Sequence, residues 1–125
     1  MSRNRELLER FYRRERSALY DNMHSDFRCH TPGGSQIAGI FHGAEGMRFH
    51  IEQMQQLTGS TFRPHDNGFF TADENWGVVP VRLLAERDGK CLDMPAFGIW
   101  RFQNGLFIEH WESPWEMKKF DAFWG

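Results

Sequence analysis

At 125 residues the chain is long enough to bury a real core, and with no linker or low-complexity stretch it reads as a single domain spanning residues 1–125. A net charge of −2 and a pI near 6.3 leave no basic footprint for nucleic acid. No apolar run approaches the ~18 residues of a membrane span, and no apolar segment follows the N-terminal charges as a secretory signal requires. Neither nucleic acid nor membrane is therefore an expected partner, and the expected location is the cytoplasm. Cys29 and Cys91 form no Cys-x-x-Cys, which suits a reducing compartment, and both are expected to be small buried thiols. Twelve Phe, five Trp and two Tyr are enough rings to line a pocket as well as fill a core.

The elements follow in order. Arg3 to about Arg14 is an amphipathic helix with Leu7, Leu8, Phe11 and Tyr12 on one stripe, its arginines alternating with Glu6, Glu9 and Glu15 as on a solvated face. Ser17 is placed to cap a short second helix carrying Ala18, Leu19 and Met23. Phe27 to Thr31 reads as a strand, Pro32-Gly33-Gly34-Ser35 breaks it, and Ile37 to Ile40 is a short extended piece. After Gly43, the spacing of Met47, Ile51, Met54 and Leu57 predicts a third helix closed by Gly59, with Phe49 also directed at the core or a pocket. Thr61 to Phe70 is extended with a bulge at Asn67-Gly68, and strands over Trp76–Glu86 and Cys91–Phe102 flank the turn signal Asp88-Gly89. Helices first and a meander of long strands afterwards predict an α+β layout, with helices on one face of a curved sheet.

The last hairpin, Ile99 to Glu112, holds the best site candidates. Asn104-Gly105 is a strong turn signal with two possible registers. A two-residue turn pairs Gln103 with Leu106, whereas a turn with Gly105 as a left-handed bulge pairs Phe102 with Leu106. Strict alternation in either puts Ile108, His110 and Glu112 on one face, and Phe107, Glu109 and Trp111 on the other. Beyond Pro114, Met117, Phe120, Phe123 and Trp124 form an apolar turn of helix.

These residues resemble a known family. His30-Thr-Pro-Gly33, Ala38-Gly39 with Gly43, Arg87-Asp-Gly-Lys90, Trp100-Arg-Phe-Gln-Asn-Gly105, Glu109-His-Trp-Glu112 and Phe120-Asp-Ala-Phe-Trp124 are similar to the SnoaL-like branch of the nuclear-transport-factor-2-like superfamily. The likeness covers nearly the whole chain. It implies a cone, or cystatin-like roll: a bent antiparallel or mixed sheet and three N-terminal-half helices enclosing a deep pocket, often dimeric through the outer sheet face. The second helix is shorter than is usual in the family. The family's pocket geometry implies the bulged register, with Gly98 opposite His110 and Ala96 opposite Glu112.

In the resembling cyclases the position matching Glu112 is an Asp that serves as general acid/base, so the resemblance gives Glu112 that role, with one methylene more reach. Burial raises a carboxyl pKa and a neighbouring imidazolium lowers it, so Glu112 and His110 are a candidate catalytic pair sharing a proton. The plain alternative has Glu112 at the strand's rim and His110 satisfying a core hydrogen bond. His30 sits about where the resembling isomerases place their general base and is the third catalytic candidate; otherwise it bonds the Pro-Gly turn. Tyr12, Phe11, Met47, Met54, Gly98 and Trp100 are the substrate-contacting candidates, Tyr12 through its hydroxyl. Gly98 stands where the isomerases carry an oxyanion-donating Asp, and no Arg-x-Asp of the epoxide hydrolases occurs. Six histidines invite a metal reading, but only His24 and His30 lie close in sequence, so no metal is expected.

What survives is cofactor-independent acid/base chemistry on a hydrophobic, carbonyl-bearing small molecule, as in an aldol cyclisation or isomerisation. The alternative is a binding protein with the same pocket and no turnover. An outer sheet face of Phe97, Ile99, Phe107 and Trp111, with Arg101 and Glu109 pairing across a two-fold axis, predicts a homodimer. The competing expectation is that Phe120, Phe123 and Trp124 fold back over that face.

Overall fold

A computed structural model describes residues 2–125. Helix α1 (Arg3–Tyr12) starts on Ser2, whose side chain accepts the Arg5 N–H, and ends at Arg14, which adopts a left-handed φ of 73°. Helix α2 (Ser17–Tyr20) is one turn; Ser17 is its first residue and does not cap it, and Met23 belongs to the following strand. Strand β1 (Met23–Thr31) buries Phe27, Cys29 and Thr31 and turns Arg28 and His30 outward. Strand β2 (Gly39–His42) leads into α3 (Gly43–Leu57), which Gly59 closes with φ 57°.

The expected extended stretch after α3 divides into β3 (Arg63–Asp66) and β4 (Thr71–Ala72). Gly68 at φ 88° breaks the chain there in place of a bulge. Strands β5 (Trp76–Arg87) and β6 (Lys90–Gln103) pair antiparallel along their whole length through the Asp88-Gly89 turn. Strand β7 (Leu106–Pro114) returns along β6, and α4 (Met117–Trp124) closes the chain with two turns of helix.

The sheet runs β2-β1-β7-β6-β5-β3, with β4 beside β5 and β1 parallel to β7. It is a mixed α+β fold whose core lies between the helices and one face of this sheet. The tail expectation is corrected: Phe120, Phe123 and Trp124 of α4 are buried in that core, Trp124 edge-on to Phe62 at 5.5 Å, and do not lie over the outer face. Asp121 of α4 accepts the Gly34 N–H at 3.2 Å and so ties down the Pro32–Ser35 loop. Phe49 is likewise corrected, since it is 60 % exposed and points away from the core. Cys29 is buried, but Cys91 is exposed, because it falls on the outward phase of β6.

The last hairpin takes the first of the two expected registers at its turn and departs from it beyond. Asn104 (φ 52°) and Gly105 (φ 78°) make a two-residue turn, and Gln103 pairs with Leu106. The pairing then shifts between Arg101 and Phe102, so that Phe102 faces Phe107 while Arg101 faces Glu109, leaving Ile108 as the extra residue. Consequently Phe107 turns inward against Trp100 (5.3 Å) and Phe102 (4.8 Å), not outward with Trp111. Beyond the bulge Trp100 lies opposite His110 and Gly98 opposite Glu112, two residues from the family-implied pairing and so on the same faces.

Candidate active site

The deep cavity between α1, α3 and the sheet has a volume of about 350 Å³, within the size range of small-molecule sites. Phe11 and Tyr12 of α1, Met47 and Met54 of α3, and Trp100 of β6 line it as expected from their helical and strand spacing. At its sheet wall stand His110 and Glu112, on the inward phase of β7 beyond the bulge.

Glu112 is the most perturbed acid in this wall. Burial pushes its carboxyl up to about 8, and no charged neighbour offsets that. Its Oε1 is buried with no hydrogen-bond partner. Such an orphaned carboxyl oxygen is costly for stability and available to a ligand.

His110 stacks on Trp100 at 3.8 Å, and its Nδ1 lies 3.1 Å from the Ile99 carbonyl. A carbonyl only accepts, so Nδ1 carries the hydrogen and Nε2 keeps its lone pair. Burial first, and the nearby His50 and His30 further, lower the His110 pKa to about 3 against the raising effect of that carbonyl. The imidazole is therefore neutral at pH 7. Burial keeps His110 and Glu112 both neutral, so the one proton of the pair sits on the carboxyl, and among the described residues no hydrogen bond joins the two groups.

Tyr12 brings its hydroxyl to the place where Gly98 has no side chain to offer. Trp100 Nε1–H donates to the Tyr12 hydroxyl at 3.1 Å, which leaves the phenolic hydrogen free for another acceptor. A Cβ built on Gly98 would come within 2.2 Å of that hydroxyl oxygen. The phenol thus occupies the space a side chain at position 98 would fill, and Gly98 itself does not line the cavity. Glu112 is its cross-strand partner, so phenol and carboxyl are neighbours on one face. Burial, then the Glu112 charge, hold the Tyr12 pKa well above its usual value, so it remains a donor.

His30 is not part of this cavity. Strand alternation turns it outward, where Nε2–H donates to Glu109 Oε2 at 2.7 Å and its ring stacks on Trp111 at 5.1 Å. The buried Glu109 also accepts two bonds from Arg101, at 3.0 and 2.9 Å, and lies 3.3 Å from Arg28. Burial raises its pKa, but His30, Arg101 and Arg28 outweigh that and hold it below the usual carboxylate range. Arg101 and Glu109 therefore pair within one chain, not across a two-fold axis as the sequence suggested.

In the place intended for His30 the structure brings its inward neighbours Cys29 and Thr31, together with His50 of α3. His50 Nε2 shares a 2.8 Å hydrogen bond with Thr31 Oγ1, its Nδ1 is buried without a partner, and burial lowers its pKa to about 4. Burial likewise pushes the Cys29 thiol up to about 12. His50 was legible in principle, since it lies three residues after Met47 and four before Met54.

Among curated proteins, no sequence matches significantly. Solved structures do. Bal32a, from a soil-derived mobile gene cassette, is 28 % identical, with 98 % of this chain and 96 % of that one aligned at a TM-score of 0.86. A protein of unknown function with a cystatin-like fold from Xanthomonas campestris is 18 % identical over 99 % of both chains, TM-score 0.87. TerC, co-crystallised with polyporic acid, is 17 % identical over 98 % of both chains, TM-score 0.78. The SnoaL-like domain profile matches residues 4–110, and the chain belongs to that family.

Proposed function

We propose that the pocket binds a hydrophobic, carbonyl-bearing small molecule and moves a proton on it by acid/base catalysis, as in an aldol cyclisation or an isomerisation. The observation that carries this reading is the Glu112 carboxyl, half-buried in the wall of an aromatic cavity with one oxygen fully buried and, among the described residues, unpartnered. The Tyr12 hydroxyl donates to the substrate carbonyl oxygen. Ionised Glu112 takes a proton from the adjacent carbon, leaving the electron pair as an enolate. In a cyclisation the enolate carbon bonds to a second carbonyl carbon, and Glu112 returns its proton to the new alkoxide oxygen. The His110 Nε2 lone pair accepts from a substrate hydroxyl. The chemistry requires no cofactor, because a proton only moves between carbon and oxygen.

A binding protein without turnover is the other reading of this fold, and Gly98, with no polar side chain to offer, would suit it. The Tyr12 hydroxyl in the Gly98 space supplies the missing donor and favours the catalytic reading. TerC, which shares this fold, is co-crystallised with polyporic acid, so the scaffold can hold a small organic molecule. The pH dependence of kcat/KM towards aromatic β-keto esters tests the proposal. With Glu112 as base the rate rises about tenfold per pH unit and levels off near pH 8. A flat profile, or recovery of an unaltered co-purified ligand with no turnover, overturns it.

Assembly is part of the same proposal. Trp76 and Phe97 on the outer face are 48 % and 37 % exposed, beside Ile99 and Trp111, and α4 does not reach them. Each such group left in water forgoes roughly 1.5–3 kcal/mol of burial. A second copy of the chain covers this face, and light scattering at micromolar concentration is expected to give twice 14.8 kDa. A mass of 14.8 kDa would leave the face uncovered and refute the dimer.

A further inference from the structure

The arginines of the N-terminal segment do not all belong to a solvated face. Arg3 bonds the Gly105 carbonyl and Asn22, Arg5 lies 3.5 Å from Glu9, Arg10 pairs with Glu15, and Arg13 lies 3.5 Å from Asp66. Arg14 and Arg16 have no carboxylate partner among the described residues, and neither has Arg63 on β3. All three line the deep cavity while remaining solvent-exposed, so they mark its mouth. The left-handed turn at Arg14 is what carries the chain from the end of α1 across this opening.

The same three arginines also line an adjoining surface cleft of about 700 Å³. Two acids border that cleft, Asp93 and Glu86. Asp93 is held by Arg82 at 2.5 Å, which leaves Glu86 against three guanidinium groups. No other Lys or Arg lines the deep cavity, whose inner wall is aromatic and sulfur-rich around neutral polar groups. An anion at the inner end would be desolvated without a countercharge, whereas at the mouth it meets three cations still in water. Guanidinium groups bind carboxylate and phosphate oxygens in a planar, two-bond fashion.

We propose that the site takes an aromatic carbonyl compound carrying an anionic arm, carboxylate or phosphate, with the ring system inside and the arm held at the mouth by Arg14, Arg16 and Arg63. This deepens the proposed function and rests on the deep cavity being the substrate site. The polarity gradient orients the molecule: the apolar end meets Tyr12 and Glu112, and the charged end stays at the cleft.

Calorimetric titration with biphenyl-4-carboxylate, biphenyl-4-yl phosphate and methyl biphenyl-4-carboxylate tests it. Exposed ion pairs are individually weak, so three together are expected to favour the better anion over the neutral ester by roughly tenfold at low salt. The ratio should fall towards one as ionic strength rises, and also in the triple variant Arg14→Gln/Arg16→Gln/Arg63→Gln. Tighter carboxylate identifies a carboxylate arm, and tighter phosphate a phosphate arm. Equal affinities for all three probes, or a preference that survives the triple variant, overturn the proposal. Glu112→Gln should keep the ratio. In the wild-type protein, the expected ratio with no turnover of aromatic β-keto esters refutes the catalytic reading alone, and turnover of those esters with a ratio of one refutes this inference alone.

Discussion

Replacing Glu112 with glutamine is expected to lower kcat/KM by about 10²–10⁴ while making the folded protein more stable than wild type above pH 8. The loss of rate follows from removing the group that accepts and returns the proton; the amide keeps the shape but cannot do either. The gain in stability follows from linkage. In the unfolded chain a glutamate titrates near ~4.3, whereas in the cavity burial raises it to about 8. A carboxyl raised in this way contributes its full stability below the unfolded value and loses it as pH climbs to the folded one. Over that window wild type weakens by about 1.4 kcal/mol per pH unit, several kcal/mol in all. Glutamine releases no proton, so the variant has no such slope. Melting curves at pH 5 and pH 8.5 should nearly coincide at the lower pH and differ by about 10 °C at the higher. Coincidence at both would mean that the carboxyl is not held neutral by the fold.

Gly98→Ala is expected to destabilise the protein by about 2–3 kcal/mol, and adding Tyr12→Phe should restore most of that. The new Cβ would stand 2.2 Å from the Tyr12 hydroxyl oxygen and 3.3 Å from Trp100 Nε1. The phenol cannot swing aside freely, because its ring packs edge-on to Phe11 at 5.6 Å and Trp100 at 6.2 Å. Phenylalanine removes the colliding atom, while its ring carbon at 3.4 Å is in ordinary contact. Urea denaturation of the two single variants and the double variant gives the coupling directly. If the double variant is no more stable than Gly98→Ala, the clash lies elsewhere and the phenol does not fill the Gly98 space.

Much of this architecture was readable in advance, because periodicity and turn chemistry are local. Leu7 and Leu8 on α1, Met47 and Met54 on α3, and the turns at Asp88-Gly89 and Asn104-Gly105 fell where their spacing placed them. The errors arose where a single residue changes the phase of a strand. His30 was assigned to the pocket, yet Phe27, Cys29 and Thr31 claim the inward phase of β1 and leave it outside. Phe107 was assigned outward because strict alternation ignores the extra residue Ile108. The Tyr12 hydroxyl beside Gly98 was beyond reach, since it joins residues far apart in sequence and no local pattern encodes that contact. The same limit applies to Arg14, Arg16 and Arg63: composition shows how many charges there are, but not which lack a partner.

The position of β7 bears on how the molecule reaches its native state. Although it is the last strand in sequence, it lies in the middle of the sheet, between β1 and β6. β7 pairs locally with β6 through the two-residue turn, and until that hairpin docks on β1, both β1 and β7 present unpaired edges, the kind of surface that templates association between chains. Docking also joins Cys29 to His110 across the parallel ladder, a contact between distant parts of the sequence that forms slowly because the intervening loop must close first. Assembly of the pocket wall is therefore coupled to the final step of sheet closure. Before the β6–β7 hairpin docks on β1, Trp100, His110 and Glu112 are apart from Cys29 and Thr31, so ligand-binding capacity should appear late and all at once during refolding.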